Sequence, residues 1–206
     1  MAIATKEIVK TYTPQNFEPL IGAAGFSDKL LQNHFKLYQG YVANTNKLAD
    51  ILDRLQKEAK TDVPEYAELK RRFGWEYNGM RLHELYFSQF EGGSTPLTTG
   101  GTLETAIKTQ YGETDYLLQE VRSVAMMRGP GWSILYFDPE AKQFLVGFTG
   151  EQHQGHFANL PIILALDVWE HAFLLDYGAQ GKAKYVDAFF KNLNWGVAEK
   201  RFSNIS

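Results

Sequence analysis

A short run in the last third of the chain has the residue types to hold a metal ion. In Leu166-Asp167-Val168-Trp169-Glu170-His171 an apolar stretch ends in an aspartate, with a histidine four residues later. Side chains at the end of a buried strand converge readily on a ligand. A carboxylate and a neutral imidazole are a natural ligand pair for a divalent or trivalent first-row ion. The same run also reads as a capping aspartate followed by a core histidine. The chain has only five histidines, His34, His83, His153, His156 and His171, so each position is informative. His34 and His83 fall on the apolar faces of two helical patterns. One inward histidine is ordinarily a satisfied core residue. Two of them, with Asp167 and His171, make a three-histidine, one-carboxylate set. Such a set suits iron or manganese better than structural zinc, which favours thiolates.

These residues need elements to carry them. Residues 1–26 read as irregular, with Pro14, Pro19 and the segment IGAAGF. Ser27-Asp28 then reads as a helix start. Leu30, His34, Tyr38, Tyr41, Thr45, Leu48, Leu52 and Leu55 recur at three- and four-residue steps, which places them on one helical face. The spacing predicts one long helix over 28–59, with a kink near Gly40 as an option. TDVP at 61–64 breaks it, and Pro64 suits a first helical turn. Leu69, Phe73, Glu76, Met80, His83 and Phe87 share the next face, predicting a second helix over 64–90. The short connection implies an antiparallel hairpin.

GGSTPLTTGG at 92–101 is the best boundary, giving expected domains of 1–95 (helical hairpin) and 96–206 (α/β). Two short helices follow, over 102–110 and 114–127, and GPGW at 129–132 ends the second. SILYFDPEAKQFLVGFT reads as a β-hairpin turning at 138–142, and PIILAL at 161–166 as a buried strand. Between them lies a polar loop, GEQHQGHFANL; helices are expected over 169–177 and 181–194.

Composition narrows the function. Hydrophobic residues are 44% and charged residues 22% of 206, an ordinary globular balance. The net charge of −3 offers no general attraction to nucleic acid or to an anionic membrane. The longest apolar run, Leu160 to Leu166, is far too short to span a bilayer. Absence of cysteine excludes disulfides, thiolate metal sites, iron–sulfur clusters and thiol catalysis. The opening MAIATKEIVK has no apolar core of a signal peptide, so a cytoplasmic location is the default expectation.

DVWEHAFLLDYGAQGKAKYVDAFFKNLNW (167–195) closely resembles the C-terminal signature of iron/manganese superoxide dismutases. The resemblance continues through GPGW at 129–132, Glu151-Gln152-His153, and Tyr41-Val42-x-Asn44-x-Asn46-x-Leu48, and spans roughly 12–200. It implies an α+β fold: an N-terminal helical hairpin, then an α/β lobe with a three-stranded antiparallel sheet, and one manganese or iron between them. The implied ligands are His34, His83, Asp167 and His171, with a solvent molecule as the fifth. The implied activity is dismutation of superoxide to O2 and H2O2 by redox cycling of that ion.

The resemblance also assigns neighbours. Tyr41 matches the gateway tyrosine. Gln152 matches the glutamine that meets the metal-bound solvent in manganese-type members; His153 and His156 compete for that position. Iron-type members carry that glutamine four residues before the second histidine, where this chain has Gly79, so the pair looks manganese-type. Trp132 and Trp169 would wall the pocket, with Phe87 where the family often has tryptophan. Glu170 would reach across a dimer to the partner's equivalent of His171, since an unshared charge in a buried signature is costly. A homodimer or tetramer is implied.

Three features depart from the family pattern. His34 precedes Tyr41 by seven residues, where the family uses eight. The usual second histidine after the first ligand is missing from Phe35-Lys36-Leu37-Tyr38, and the tyrosine expected after His171-Ala172 is Leu174. An apolar contact could replace that bridge. Two other readings therefore stand beside a dismutase. One is a metal-binding dimeric homologue of weak or no activity. The other is a metalloenzyme using His83, His171 and Asp167 with open positions.

Overall fold

A three-stranded sheet has the strand order β2-β1-β3, antiparallel throughout, with β1 (Gly131–Asp138) between β2 (Gln143–Gly150) and β3 (Ile162–Asp167). This computed structural model describes residues 11–205, so the reading of MAIATKEIVK as lacking a leader lies outside the described residues. Two long helices precede the sheet, α1 (Asp28–Lys57) and α2 (Pro64–Ser88), followed by α3 (Thr102–Tyr111) and α4 (Thr114–Ala125). After β3 come a 3-10 turn (Glu170–Ala172), the single-turn α5 (Leu174–Tyr177), α6 (Lys182–Asn192) and α7 (Trp195–Ser203). This is the expected α+β fold. None of the described helices is long and apolar enough to cross a membrane.

The helix starts follow local chemistry. Ser27 caps α1, its hydroxyl accepting from the Leu30 N–H at 3.0 Å. Pro64 opens α2, where its missing N–H costs nothing. α1 runs unbroken through Gly40. The predicted face of α1 is buried from Leu30 to Leu55. The two helices are joined where Tyr38 donates to Glu84 at 3.0 Å, both buried.

β1 is the core strand, buried along nearly its whole length. The hairpin turn is fixed by Asp138, whose Oδ1 accepts from the Glu140 and Ala141 N–H groups. Its register against β3 sets Trp132 opposite Asp167. The helix expected over 169–177 is two short pieces parted by Phe173, whose φ of −143° is not helical. The helix expected over 181–194 ends at Asn192. A further helix, α7, follows, with Asn194 as its cap accepting from the Gly196 N–H. The cap residue and the pattern Trp195, Ala198, Phe202 were the signals for it.

Candidate metal centre

Four elements each bring one side chain to the same point. His34 comes from the second turn of α1, His83 from α2, Asp167 from the last position of β3 and His171 from the 3-10 turn after it. One potential ligand atom from each lies within 4.8 Å of all the others. The Nε2 atoms of His171, His34 and His83 stand 3.0, 3.2 and 3.5 Å from a single oxygen, Asp167 Oδ2. The other oxygen, Oδ1, accepts from the Trp169 N–H at 2.9 Å, which fixes the carboxylate's rotation. His34, His83 and Asp167 are buried, and His171 is partly so.

The protonation of His83 follows from its partner. Its Nδ1 is 2.6 Å from the Gly79 carbonyl, which can only accept, so Nδ1 carries the hydrogen. Nε2 is therefore a bare lone pair, buried and without a hydrogen-bond partner, facing a carboxylate. Two facing lone pairs need a cation between them. A proton on His83 is a poor one, because burial, then the neighbouring His34, pushes its pKa down to about 3. Burial also lowers the pKa of His34. Burial alone would raise the pKa of Asp167, but His171 and His34 override it and hold the carboxyl below its usual range. Imidazole nitrogens converging on an ionised carboxylate, with His34 and His83 held against protonation, are the donor set that a redox-active first-row metal takes. The residues present fit iron or manganese.

Aromatic rings close the space around this point. Phe87 lies 4.8 Å and Tyr86 5.3 Å from the His34 ring, and Trp132 lies 5.2 Å from His83, centroid to centroid. Trp169 stacks on His171 at 5.8 Å.

Gln152, in the loop after β2, is fully buried. Its Oε1 accepts from Trp132 Nε1 at 2.9 Å, and its Nε2 donates to the Tyr41 hydroxyl at 3.0 Å. His156 donates from Nε2 to the Gln152 carbonyl at 3.2 Å and accepts from Tyr136 on Nδ1 at 2.9 Å, so it supports Gln152 rather than replacing it. His153 stays outside the cluster as well. The Tyr41 ring lies 5.1 Å from His83.

Glu170 is exposed on this chain, where a group expected to reach across a dimer would stand. Leu174, in the position of the missing tyrosine, is exposed as well. Tyr38 is absorbed by the helix pair, accepting from the Gln15 N–H at 2.9 Å and donating to Glu84. Trp75 was missed in the sequence. It lies 5.3 Å from Tyr41 and lines, with Arg71, Arg72 and Trp169, a cleft of about 360 Å³ beside the cluster. The signal was its spacing: positions 75, 79 and 83 recur every fourth residue of one helix.

Known proteins resemble this chain in sequence. A family model described as iron/manganese superoxide dismutases, C-terminal domain, matches residues 99–201. An iron superoxide dismutase of Saccharolobus solfataricus is 37% identical, the match covering 80% of this chain and 79% of that one. An iron superoxide dismutase of Aquifex pyrophilus is 34% identical over 92% of this chain and 87% of its own. A mitochondrial manganese superoxide dismutase of Schizosaccharomyces pombe is 30% identical over 84% and 77%. The chain belongs to the iron/manganese superoxide dismutase family.

Proposed function

We propose that His34, His83, Asp167 and His171 hold one iron or manganese ion and that superoxide dismutation runs beside it. Two superoxide ions and two protons give O2 and H2O2. The observation that carries the site assignment is the bare, buried Nε2 of His83 aimed at Asp167 Oδ2, to which two more imidazole nitrogens converge. A bound iron or manganese ion supplies the one-electron couple that superoxide can both reduce and reoxidise.

The chain's own residues set the conditions for that couple. Asp167 contributes the negative charge that favours the higher oxidation state. The Gly79 carbonyl fixes the His83 tautomer and raises its basicity. Gln152 is locked at both ends, by Trp132 and by Tyr41, which leaves its second Nε2 hydrogen to serve the site. Tyr41 accepts from Gln152, so its own hydroxyl proton is free to face substrate. Burial, and next the charge of Asp167, push its pKa up, so it stays protonated and neutral, a hydrogen-bond donor toward substrate. Trp132 and Trp169 keep bulk water from the ligands. Arg71 and Arg72 line the cleft, each paired with a carboxylate, Glu68 at 2.7 Å and Glu76 at 2.8 Å.

A manganese-type site is the finer reading. Gln152 reaches in from the loop, and Gly79 leaves no room for a glutamine from α2. Of the three relatives above, the two named for iron are the more similar, and reconstitution decides between the metals. A homodimer is proposed on the exposed Glu170, Leu174 and Leu175 beside His171.

The test is dismutation by the metal-free protein reloaded separately with manganese and with iron, beside His83→Ala. Fast turnover with one metal, lost in His83→Ala together with metal uptake, is expected. Full loading without turnover on either metal would leave the alternative, a metal-binding homologue without the chemistry. Retained metal and rate in His83→Ala would overturn the ligand assignment.

A further inference from the structure

The free edge of β3 is closed by side chains instead of by another strand. β1 pairs with one side of β3, and the backbone of Ile163, Ala165 and Asp167 faces the other way. Buried peptide groups there need partners. The Ile163 carbonyl accepts from Arg201 at 2.9 Å, and the Asp167 carbonyl from the Tyr185 hydroxyl at 2.6 Å. Ala165 meets Gln89, whose amide acts as a peptide group: Oε1 accepts from the Ala165 N–H, and Nε2 donates to the Ala165 carbonyl, both at 2.8 Å.

Gln89 is fully buried at the end of α2, six residues after His83. Ala165 lies two residues before Asp167 on β3. Arg201 adds to the same junction, donating to Gln89 Oε1 at 3.2 Å and to the Leu85 carbonyl at 2.8 Å. The two elements that carry His83 and Asp167 are far apart in sequence, and this amide pair ties their backbones together. We infer that Gln89 is a positioning residue for the metal centre, setting the separation of His83 Nε2 from Asp167 Oδ2 through its paired hydrogen bonds to Ala165. The inference rests on reading the four-residue cluster as the metal site.

Residues that orient metal ligands change affinity about 10- to 100-fold when replaced. The test is Mn(II) binding to the metal-free, full-length protein by chelator competition, with the electron paramagnetic resonance spectrum of the loaded protein as second readout. Four variants are compared: Gln89→Met, Gln89→Glu, Asp167→Ala and the remote core variant Ile107→Ala. Gln89→Met is expected to weaken Mn(II) binding by about tenfold or more and to alter the spectrum. Gln89→Glu keeps the acceptor for the Ala165 N–H and gains an ion pair with Arg201. It stays folded, loses the bond to the Ala165 carbonyl, and is expected to fall between Gln89→Met and the unchanged protein. Ile107→Ala is expected to lower the melting temperature and leave affinity and spectrum alone. Unchanged affinity and spectrum in both Gln89 variants, or an equal shift in Ile107→Ala, would overturn the inference. Undiminished binding in Asp167→Ala would instead overturn the metal-site reading beneath it.

Discussion

The ring of Tyr41 lies flush against Gly79. A Cβ built on Gly79 would fall 2.9 Å from Tyr41 Cγ and closer still to Cδ1 and Cε1. The helix that carries His83 therefore needs a glycine one turn earlier, so that Tyr41 from α1 can reach Gln152. Gly79→Ala should displace Tyr41 and break its bond with Gln152. Overpacking of this kind costs about 1–3 kcal/mol. Denaturant midpoints should fall accordingly, and turnover should fall with the metal content unchanged. An unaltered midpoint would show that α2 moves aside freely.

Gln152→Ala removes the partner of a buried indole N–H and of a buried phenol. Leaving such groups unpaired costs about 1–3 kcal/mol. Stability should drop by that order, and turnover should drop more than metal content, because all four ligands remain. Equal loss of metal and turnover would assign Gln152 to holding the site together rather than to its chemistry.

Acid should destabilise the metal-free protein in two stages. The pKa of His83 is held down at about 3, against an ordinary 6.5. Between those values the unfolded chain binds a proton that the folded chain refuses, so stability is complete above 6.5 and falls as pH drops. The slope is at most about 1.4 kcal/mol per pH unit for one histidine, and His34 shifts in the same direction. Asp167, held below its usual 3.8, adds a further loss beneath that pH. Urea melts from pH 8 to 4 would show the first stage; a flat profile would mean that the histidines titrate in the folded chain as they do in the unfolded one.

Metal removal should lower the melting temperature. At a free metal concentration of about 100 times Kd, binding adds about 2.7 kcal/mol. For a chain of this size that is about 5–10 °C. Scanning calorimetry of loaded and metal-free protein measures it, and His83→Ala should show no difference between the two.

Leu174 and Leu175 are 46% and 49% exposed, next to a partly exposed ligand. Sedimentation of the unchanged protein should show the proposed homodimer, and Leu174→Glu should shift it to monomer. A dimer that persists would place the interface elsewhere.

The sequence by itself settled much of this protein. The three- and four-residue recurrence along 30–55 and 69–87 placed His34 and His83 on buried helix faces. The strand ending in Asp167, with His171 four residues on, was legible as a ligand pair. Both readings depend on local periodicity, which says which way a side chain points. It does not measure the distance between elements remote in the chain. That three imidazoles meet one carboxylate oxygen, across separations as long as 133 residues, is decided by how α1, α2 and β3 pack. So is the choice of Gln152 over His153 and His156, because a polar loop has no periodicity to read. The exposure of Glu170 followed the same limit: Val168 and Ala172, two residues away on either side, are buried, but its own side of the turn faces outward. Gln89 was invisible for the complementary reason, since a glutamine at a helix end looks like surface until an unpaired strand edge lies against it.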